Sequence, residues 1–310
     1  MIGRVITYDG ISYDLPRLLS WELTRTGGVP CDSFRVTCTG EAGMTALLPK
    51  MTRFRAVEGG KSIFYGVIDD YTVSCGDNGM RLEITGRGMA ALLLDNEAEA
   101  VDYQNATLRE IVRRHVQPLG IECILGGGAD RAFAYTVPGG ASQWKALEGF
   151  ALLCGVQPYF TKDGILELRE KHRGERLSLT DGQALRSALY REKRCGVISE
   201  ITVIDRVQRR RETVKNEDLC ERGGLCRRVL YMPRGSSLRR NGAYQIARSR
   251  RGSRLLVMAF SGRLAAEPGD IAQVNCRRLG IREEFCVSEV MHSFSSAGEI
   301  TEVTFQEAES

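Results

Sequence analysis

The sequence is poor in the features that mark metal centres, membrane spans and common enzymes. Its ten cysteines form no CxxC pair, and its three histidines, His115, His172 and His292, stand far apart. Zinc sites usually show paired ligands at short spacing, so no metal site is expected. No stretch approaches ~18 uninterrupted apolar residues, which excludes a membrane-spanning helix. The start, Met1-Ile2-Gly3-Arg4-Val5, lacks the apolar core of a signal peptide. Synthesis in the cytosol and reduced thiols are therefore expected. Most cysteines occupy apolar, strand-like or helical positions as small hydrophobes. Cys220 and Cys226 differ, because they fall in what reads as a polar loop.

Nucleophile and phosphate motifs are also missing: there is no GxSxG, HExxH or GxxxxGK[ST]. Gly86-Arg87-Gly88 has no third glycine at dinucleotide-loop spacing. Gly126-Gly127-Gly128 reads as a turn. Cys154 and His172 form a pair only if the fold joins them, and Cys154 fits an apolar helix face. The adjacent acids Asp69-Asp70 point to opposite faces of a strand, which leaves one solvated acid rather than a catalytic pair. No catalytic residue, cofactor or metal ligand is expected.

What the chain does have is ordinary globular composition over 310 residues, 43% hydrophobic and 26% charged, enough for two or three domains. Residues 1–96 read as a first β-barrel. Its strands are expected at Arg4–Tyr8, Leu19–Arg25, Ser33–Thr39, Arg53–Glu58, Ser62–Val73 and Arg81–Thr85, with turns at Gly59-Gly60 and Asn78-Gly79. Residues 97–175 read as an α+β insertion. Thr107-Leu108-Arg109-Glu110 is a capping box opening a helix with Leu108, Ile111, Val112 and Val116 on one face. A second helix starts near Ser142, aligns Trp144, Leu147, Ala151 and Cys154, and stops at Gly155. A hairpin turned at Asp163-Gly164 follows. Residues 176–310 return to β, with Val197–Val207 strand-like and Glu212–Gly224 a polar loop. A short helix is expected over Gly242–Arg251, with Ala243, Ile246 and Ala247 inward. Closing strands are expected at Ile271–Cys276, Phe285–Phe294 and Ile300–Phe305. The fold class is mainly β, two barrels flanking a small α+β domain.

The net charge of +4 conceals a division. Between Arg191 and Arg254 stand 18 Lys/Arg against 7 Asp/Glu, an excess of +11, and the remainder carries −7. Arginine forks suit carboxylates and phosphates. The candidate interface residues are Arg209, Arg210, Arg211, Arg227, Arg228, Arg239, Arg240, Arg250 and Arg251. Only Tyr231 and Tyr244 interleave with them, whereas nucleic-acid readers usually carry more aromatics or a recognition motif. Acidic protein surfaces are the favoured partners, ahead of a solvated face and of nucleic acid.

Several segments carry a resemblance. Residues 62–99 match a strand F-x-G-x-I-D followed by a corner in which G-R leads on to L-x-D/N, through Phe64, Gly66, Ile68, Asp69, Gly86, Arg87, Leu94 and Asn96. Together with segments 107–121, 140–170 and 266–305, this resembles the baseplate hub family of contractile-tailed phages. That family includes late control gene D proteins, Mu-type tail hubs and the N-terminal part of type VI secretion spike proteins. The stretch Gln208–Arg240 departs from it.

The resemblance implies a non-enzymatic structural protein of the virion tail baseplate, assembled in the bacterial host cytoplasm. It implies a homotrimer whose two tube-type barrels per chain join a sixfold tail tube to a central spike. Implied partners are tail tube proteins, a separate spike protein, since no spike extension follows residue 310, and the tape measure protein. No membrane partner is implied. A peptidoglycan-degrading tail protein and a basic nucleic-acid binder are the alternatives.

Overall fold

Period-two burial runs through the N-terminal strands, the pattern of a sheet with one face turned to a core. The computed structural model describes residues 1–27, 31–41, 43–77, 79–126, 131–170, 174–232, 237–250 and 252–307. The chain divides into two compact units. The first is Met1–Gly174 with Ser261–Gly269 and Glu289–Thr301; the second is Glu175–Phe260 with Asp270–Ser288 and Glu302–Ser310.

The first unit is built on β1 (Ile2–Thr7), β2 (Ser12–Asp14), β3 (Leu18–Thr26), β4 (Ser33–Thr39), β5 (Met51–Glu58), β6 (Lys61–Gly76) and β7 (Gly79–Gly88). Residues Glu289–Phe294 pair antiparallel with β3, and the sheet continues through β4, β7, β6, β5, β1 and β2. Phe34 of β4 stacks on Phe54 of β5 with centroids 4.2 Å apart, although β7 and β6 lie between those strands in the sheet. The sheet is therefore rolled around its core. Val5, Trp21, Val36, Cys38, Phe64 and Ile84 fill the same interior.

The motif glycines have a steric reason. A Cβ on Gly66 would lie 2.1 Å from the Arg87 carbonyl oxygen, and one on Gly86 would lie 2.0 Å from that of Val67. No side chain fits where β6 and β7 approach so closely. The ladder shifts register between Ile68 and Asp70, a bulge that re-aims Asp69. Arg87 donates to both Asp69 oxygens at 2.7 and 2.9 Å, and to Asp95 Oδ1 and Oδ2 at 3.0 and 2.6 Å. These hydrogen bonds hold the Asp95 carboxyl below its usual pKa. Asp69 and Asp70 are both exposed, and Asp69 is ion-paired with Arg87. Gly86-Arg87-Gly88 lies within β7 rather than in a phosphate loop.

The insertion follows α1 (Ala91–Asp95), where Asn96 Nδ2 donates to the Leu92 carbonyl at 2.7 Å. Its elements are β8 (Val101–Thr107), α2 (Leu108–His115), β9 (Cys123–Leu125), β10 (Ala132–Val137), α3 (Gln143–Cys154), β11 (Gln157–Phe160) and β12 (Leu166–Arg169). Thr107 and Glu110 form the reciprocal capping box. Ser142 caps α3, and Gly155 ends it at φ 76°. Trp144, Leu147, Phe150, Ala151 and Cys154 pack against Leu108, Ile111, Val112 and Val116 in one core. His172, Gly127 and Gly128 lie outside the described residues, so the Cys154–His172 pair and the glycine turn have no structural account here.

A charge cluster centred on the buried Arg25 fastens this insertion to the rolled sheet. Arg25 of β3 donates through Nη1 to Glu267 Oε2 at 2.9 Å and through Nη2 to Tyr159 Oη at 2.8 Å. Lys162 also donates to Glu267. Burial works against the Arg25 charge, but Asp32, Tyr159 and Glu267 hold its pKa above the ordinary value. Burial pushes Asp32 upward despite Arg25 and the Thr26 N–H. A cavity of about 30 Å³ adjoins them, lined by Trp21, Arg25, Lys162, Arg263, Glu267 and His292 among others.

The second unit carries two layers of different kinds. Its elements are β13 (Arg176–Thr180), β14 (Leu185–Glu192), β15 (Glu200–Asp205), β16 (Arg210–Lys215), α4 (Glu217–Glu221), β17 (Arg227–Met232), α5 (Leu238–Arg250), β18 (Arg254–Ser261), β19 (Ile271–Cys276), β20 (Ile281–Ser295) and β21 (Gly298–Glu307). β20 and β21 contribute residues to both units. One sheet runs β13, β19, β20, β21, β18, β14, with β13–β19 parallel and β19–β20 and β18–β14 antiparallel. The other is a three-stranded sheet, β16-β15-β17, covered on one face by α5. The fold class is thus mainly β with an α+β insertion.

Two expectations fail in this unit. Glu212–Gly224 is not a loop: it holds most of β16 and all of α4, whose first turn Asn216 caps. The strand is hidden because the residues on its α5 side are Arg210, Glu212 and Val214, only one of them apolar. The helix starts at Leu238, and its buried residues are Leu238, Gly242 and Ile246 rather than Ala243 and Ala247. Gly242 is chosen for closeness: a Cβ there would lie 2.7 Å from Val214 Cγ2.

Candidate functional site: a basic sheet face

The basic block folds into the α5-covered sheet, and strand alternation sorts its charges. Gly242 of α5 rests on Val203 and Val214, while Val214, Leu230 and Met232 pack into the core beneath the helix. Their ladder partners fix which side chains share each face. Arg210, Glu212 and Arg228 alternate onto the α5 side. The opposite face carries Arg211, Thr213 and Lys215 from β16, Glu200, Thr202 and Ile204 from β15, and Arg227, Val229 and Tyr231 from β17.

This outer face is basic and partly apolar. Val229 and Tyr231 are each more than half exposed. Lys215 approaches Glu200 only at 4.0 Å. Arg206 lies over the Tyr231 ring, 4.0 Å from its centroid. That guanidinium occupies a ring face that a nucleobase would need for stacking. The geometry suits carboxylates met by Arg211, Lys215 and Arg227, beside a modest apolar strip.

The remaining candidates lie elsewhere. Arg209 precedes β16 in the left-handed region, at φ 52°. Arg239 and Arg240 are exposed in the first turn of α5, where cations oppose the helix dipole. Arg250 sits in the last turn, favourably for the dipole, and pairs with Glu307. Arg251 lies outside the described residues. The eight described arginines therefore do not form one patch. Sequence reasoning missed Lys215 and Arg206, although the alternation Arg211-Thr213-Lys215 was a readable signal for the first.

Chemistry is sparse. All ten cysteines are free thiols. Cys220 Sγ donates to the Ser199 carbonyl at 3.3 Å, and Cys226 accepts from Ser199 through its carbonyl. Among the described residues, no three His, Cys, Asp or Glu side chains group to hold a metal ion. No helix there is long and apolar enough to cross a membrane.

No protein-family model and no curated protein sequence matches the chain. Solved structures do resemble it. The 43 kDa tail protein of prophage MuSo2 from Shewanella oneidensis matches with a TM-score of 0.80 at 17% identity, over 99% of this chain and 98% of that one. A tail protein from Neisseria meningitidis matches with 0.76 at 17% identity, over 99% and 96%. An E. coli component of the type VI secretion system, described as structurally similar to T4 tail proteins gp27 and gp5, matches with 0.55 at 15% identity, over 94% and 74%. The chain therefore has the fold of prophage tail proteins, shared with a type VI secretion component.

Proposed function

We propose that this protein is a structural baseplate hub of a contractile phage tail or phage-derived particle. It acts as a homotrimer that joins a sixfold tail tube to a central spike, with residues 1–96 and 176–310 supplying tube-type barrels and 97–175 the insertion. The mechanism is mechanical: it adapts symmetry, terminates the tube and seats a separate spike protein. The tail tube and the tape measure protein are its further partners, and it is assembled in the host cytoplasm into the virion tail baseplate.

The observation that carries this reading is the end-to-end likeness to the MuSo2 tail protein, 99% of one chain on 98% of the other. The face of Arg211, Lys215 and Arg227 supports acidic protein partners in an assembly.

Mass in solution tests the reading. A trimer of the 34.4 kDa chain, about 103 kDa, is expected. A stable monomer that binds DNA with steep salt dependence overturns it, as does clearing of cell-wall substrate in a zymogram.

A further inference from the structure

β6 is 16 residues long, yet β5 pairs only with Lys61–Val67 of it. From Asp70 to Gly76 the strand is held by β7 on one side, and its other edge has no ladder among the described residues. Tyr71 lies opposite Ile84, and Val73 opposite Leu82. Residues paired across an antiparallel ladder share a face. Ile84 and Leu82 are 0% and 1% exposed, whereas Tyr71 and Val73 are 40% and 37% exposed. The face that forms the core thus continues past the end of β5 without cover.

This edge also lacks the usual protection. Tyr71-Thr72-Val73-Ser74-Cys75 has no charge and no proline, and its β-branched and aromatic residues favour strand pairing. The bulge lies before it, at Asp69, and leaves Tyr71–Gly76 in regular register with β7.

The chain offers a counterpart. β14 pairs with β18 alone among the described strands, and Leu189 at its middle is 56% exposed. Exposed Arg186 and Arg191 flank Leu189, and Lys193 and Arg194 follow the strand, against one exposed acid, Glu192, which Arg194 meets at 3.5 Å. The β6 edge is bracketed instead by exposed Asp70 and Asp77. The two free edges carry opposite charge and a matching apolar centre.

We propose that Asp70–Gly76 of β6 pairs edge to edge with Leu185–Arg191 of β14 in a second copy of this chain. The proposal rests on the hub reading and names the surfaces that would join its copies. A contact of one kind of edge with the other is heterologous: each copy offers β6 to one neighbour and β14 to the next, and the series ends when a ring closes. A foreign strand meets only one of these edges, whereas a second copy accounts for both.

The test uses the full-length chain, sedimentation over a concentration series, and hydrogen exchange. Val73→Lys and Leu189→Lys change exposed side chains, and each is expected to raise the concentration for half-assembly at least tenfold. Circular dichroism of each variant should match wild type, which separates lost pairing from lost folding. In the wild-type oligomer, the amides of 71–75 and 187–191 that point away from β7 and β18 should be protected, and in Val73→Lys these outward amides should exchange freely while those bonded to β7 and β18 stay protected. A wild-type trimer whose outward 71–75 amides exchange freely, or a Val73→Lys protein that assembles as wild type, overturns the pairing and leaves the hub reading standing. A wild-type chain that stays monomeric overturns both.

Discussion

Arg25 Nη1 meets Glu267 Oε2 at 2.9 Å across 242 residues of sequence, joining the first rolled sheet to the segment that returns to it near the end of the chain. The same guanidinium reaches Tyr159 of the insertion and faces Asp32, whose carboxylate lies 3.6 Å from Arg25 Nε. One side chain thus ties three stretches of the first unit together. A buried charge of this kind is weak evidence of net stability, but removing one partner leaves the others uncompensated.

Arg25→Ala is therefore expected to cost about 3–5 kcal/mol, because it strands Asp32 in a desolvated site. Arg25→Ala combined with Asp32→Ala should cost less than the sum of the single changes. Urea unfolding of the four proteins gives the coupling, and additive costs would show that the pair does not act as one.

The glycines at the β6–β7 approach give a sharper steric case. Gly86→Ala would place its Cβ 2.0 Å from the Val67 carbonyl oxygen and 2.5 Å from the Phe34 ring. Backbone on one side and a core aromatic on the other leave nowhere to move. A loss of about 3 kcal/mol or more is expected, at the upper end of overpacking costs. Gly43→Ala, where a Cβ meets nothing within 4 Å, is the control and should change stability by less than about 1 kcal/mol. Thermal unfolding of both variants compares them.

The resemblance motif was legible in Gly66, Gly86 and Arg87, and each has a physical role where β6 meets β7. Asp95, the second partner of Arg87, fits the same L-x-D/N pattern through Leu93, one residue before Leu94 and Asn96, so the pattern alone left two registers open, and Asn96 instead closes α1. Helices opened by a capping box or closed by Gly155 were readable because those signals are local. β16 and β17 were not, since the residues on their α5 side mix exposed Arg with Glu, Val and Leu, and only Val214, Leu230 and Met232 of them pack beneath α5. The basic block was visible as a count of charge. Its division into an outer face, a helix start and the Arg250–Glu307 pair depends on strand pairing.

That division predicts two kinds of variant. Charge reversal at Arg211, Lys215 and Arg227 alters exposed side chains, so each change should shift stability by no more than about 0.5 kcal/mol. The triple variant should nonetheless lose at least tenfold in co-sedimentation with tail tubes, a loss that rising salt imitates in wild type. Arg250→Ala should leave co-sedimentation unchanged, because its guanidinium is engaged with Glu307. Equal losses from both would mean that the outer face has no special part.

His292 sets the last expectation, which concerns pH. Thr301 Oγ1 donates to the Gly262 carbonyl at 2.9 Å and lies 3.1 Å from His292 Nδ1, so Nδ1 carries the proton of a neutral ring. Burial, reinforced by Arg263, Lys162 and Arg25 and opposed by Glu267, pushes the His292 pKa down to about 4 from the ordinary 6.5. Between those values the unfolded chain binds a proton that the folded chain refuses, so stability falls as pH drops from 6.5 toward 4. Below 4 both states are protonated and the effect is complete. His292→Gln cannot titrate, and its Tm should decline less steeply than that of wild type over that window. The carboxylates titrate in both proteins, so the difference between the two curves isolates His292. Parallel curves would show that the imidazole accepts its proton as readily in the folded chain as in the unfolded one.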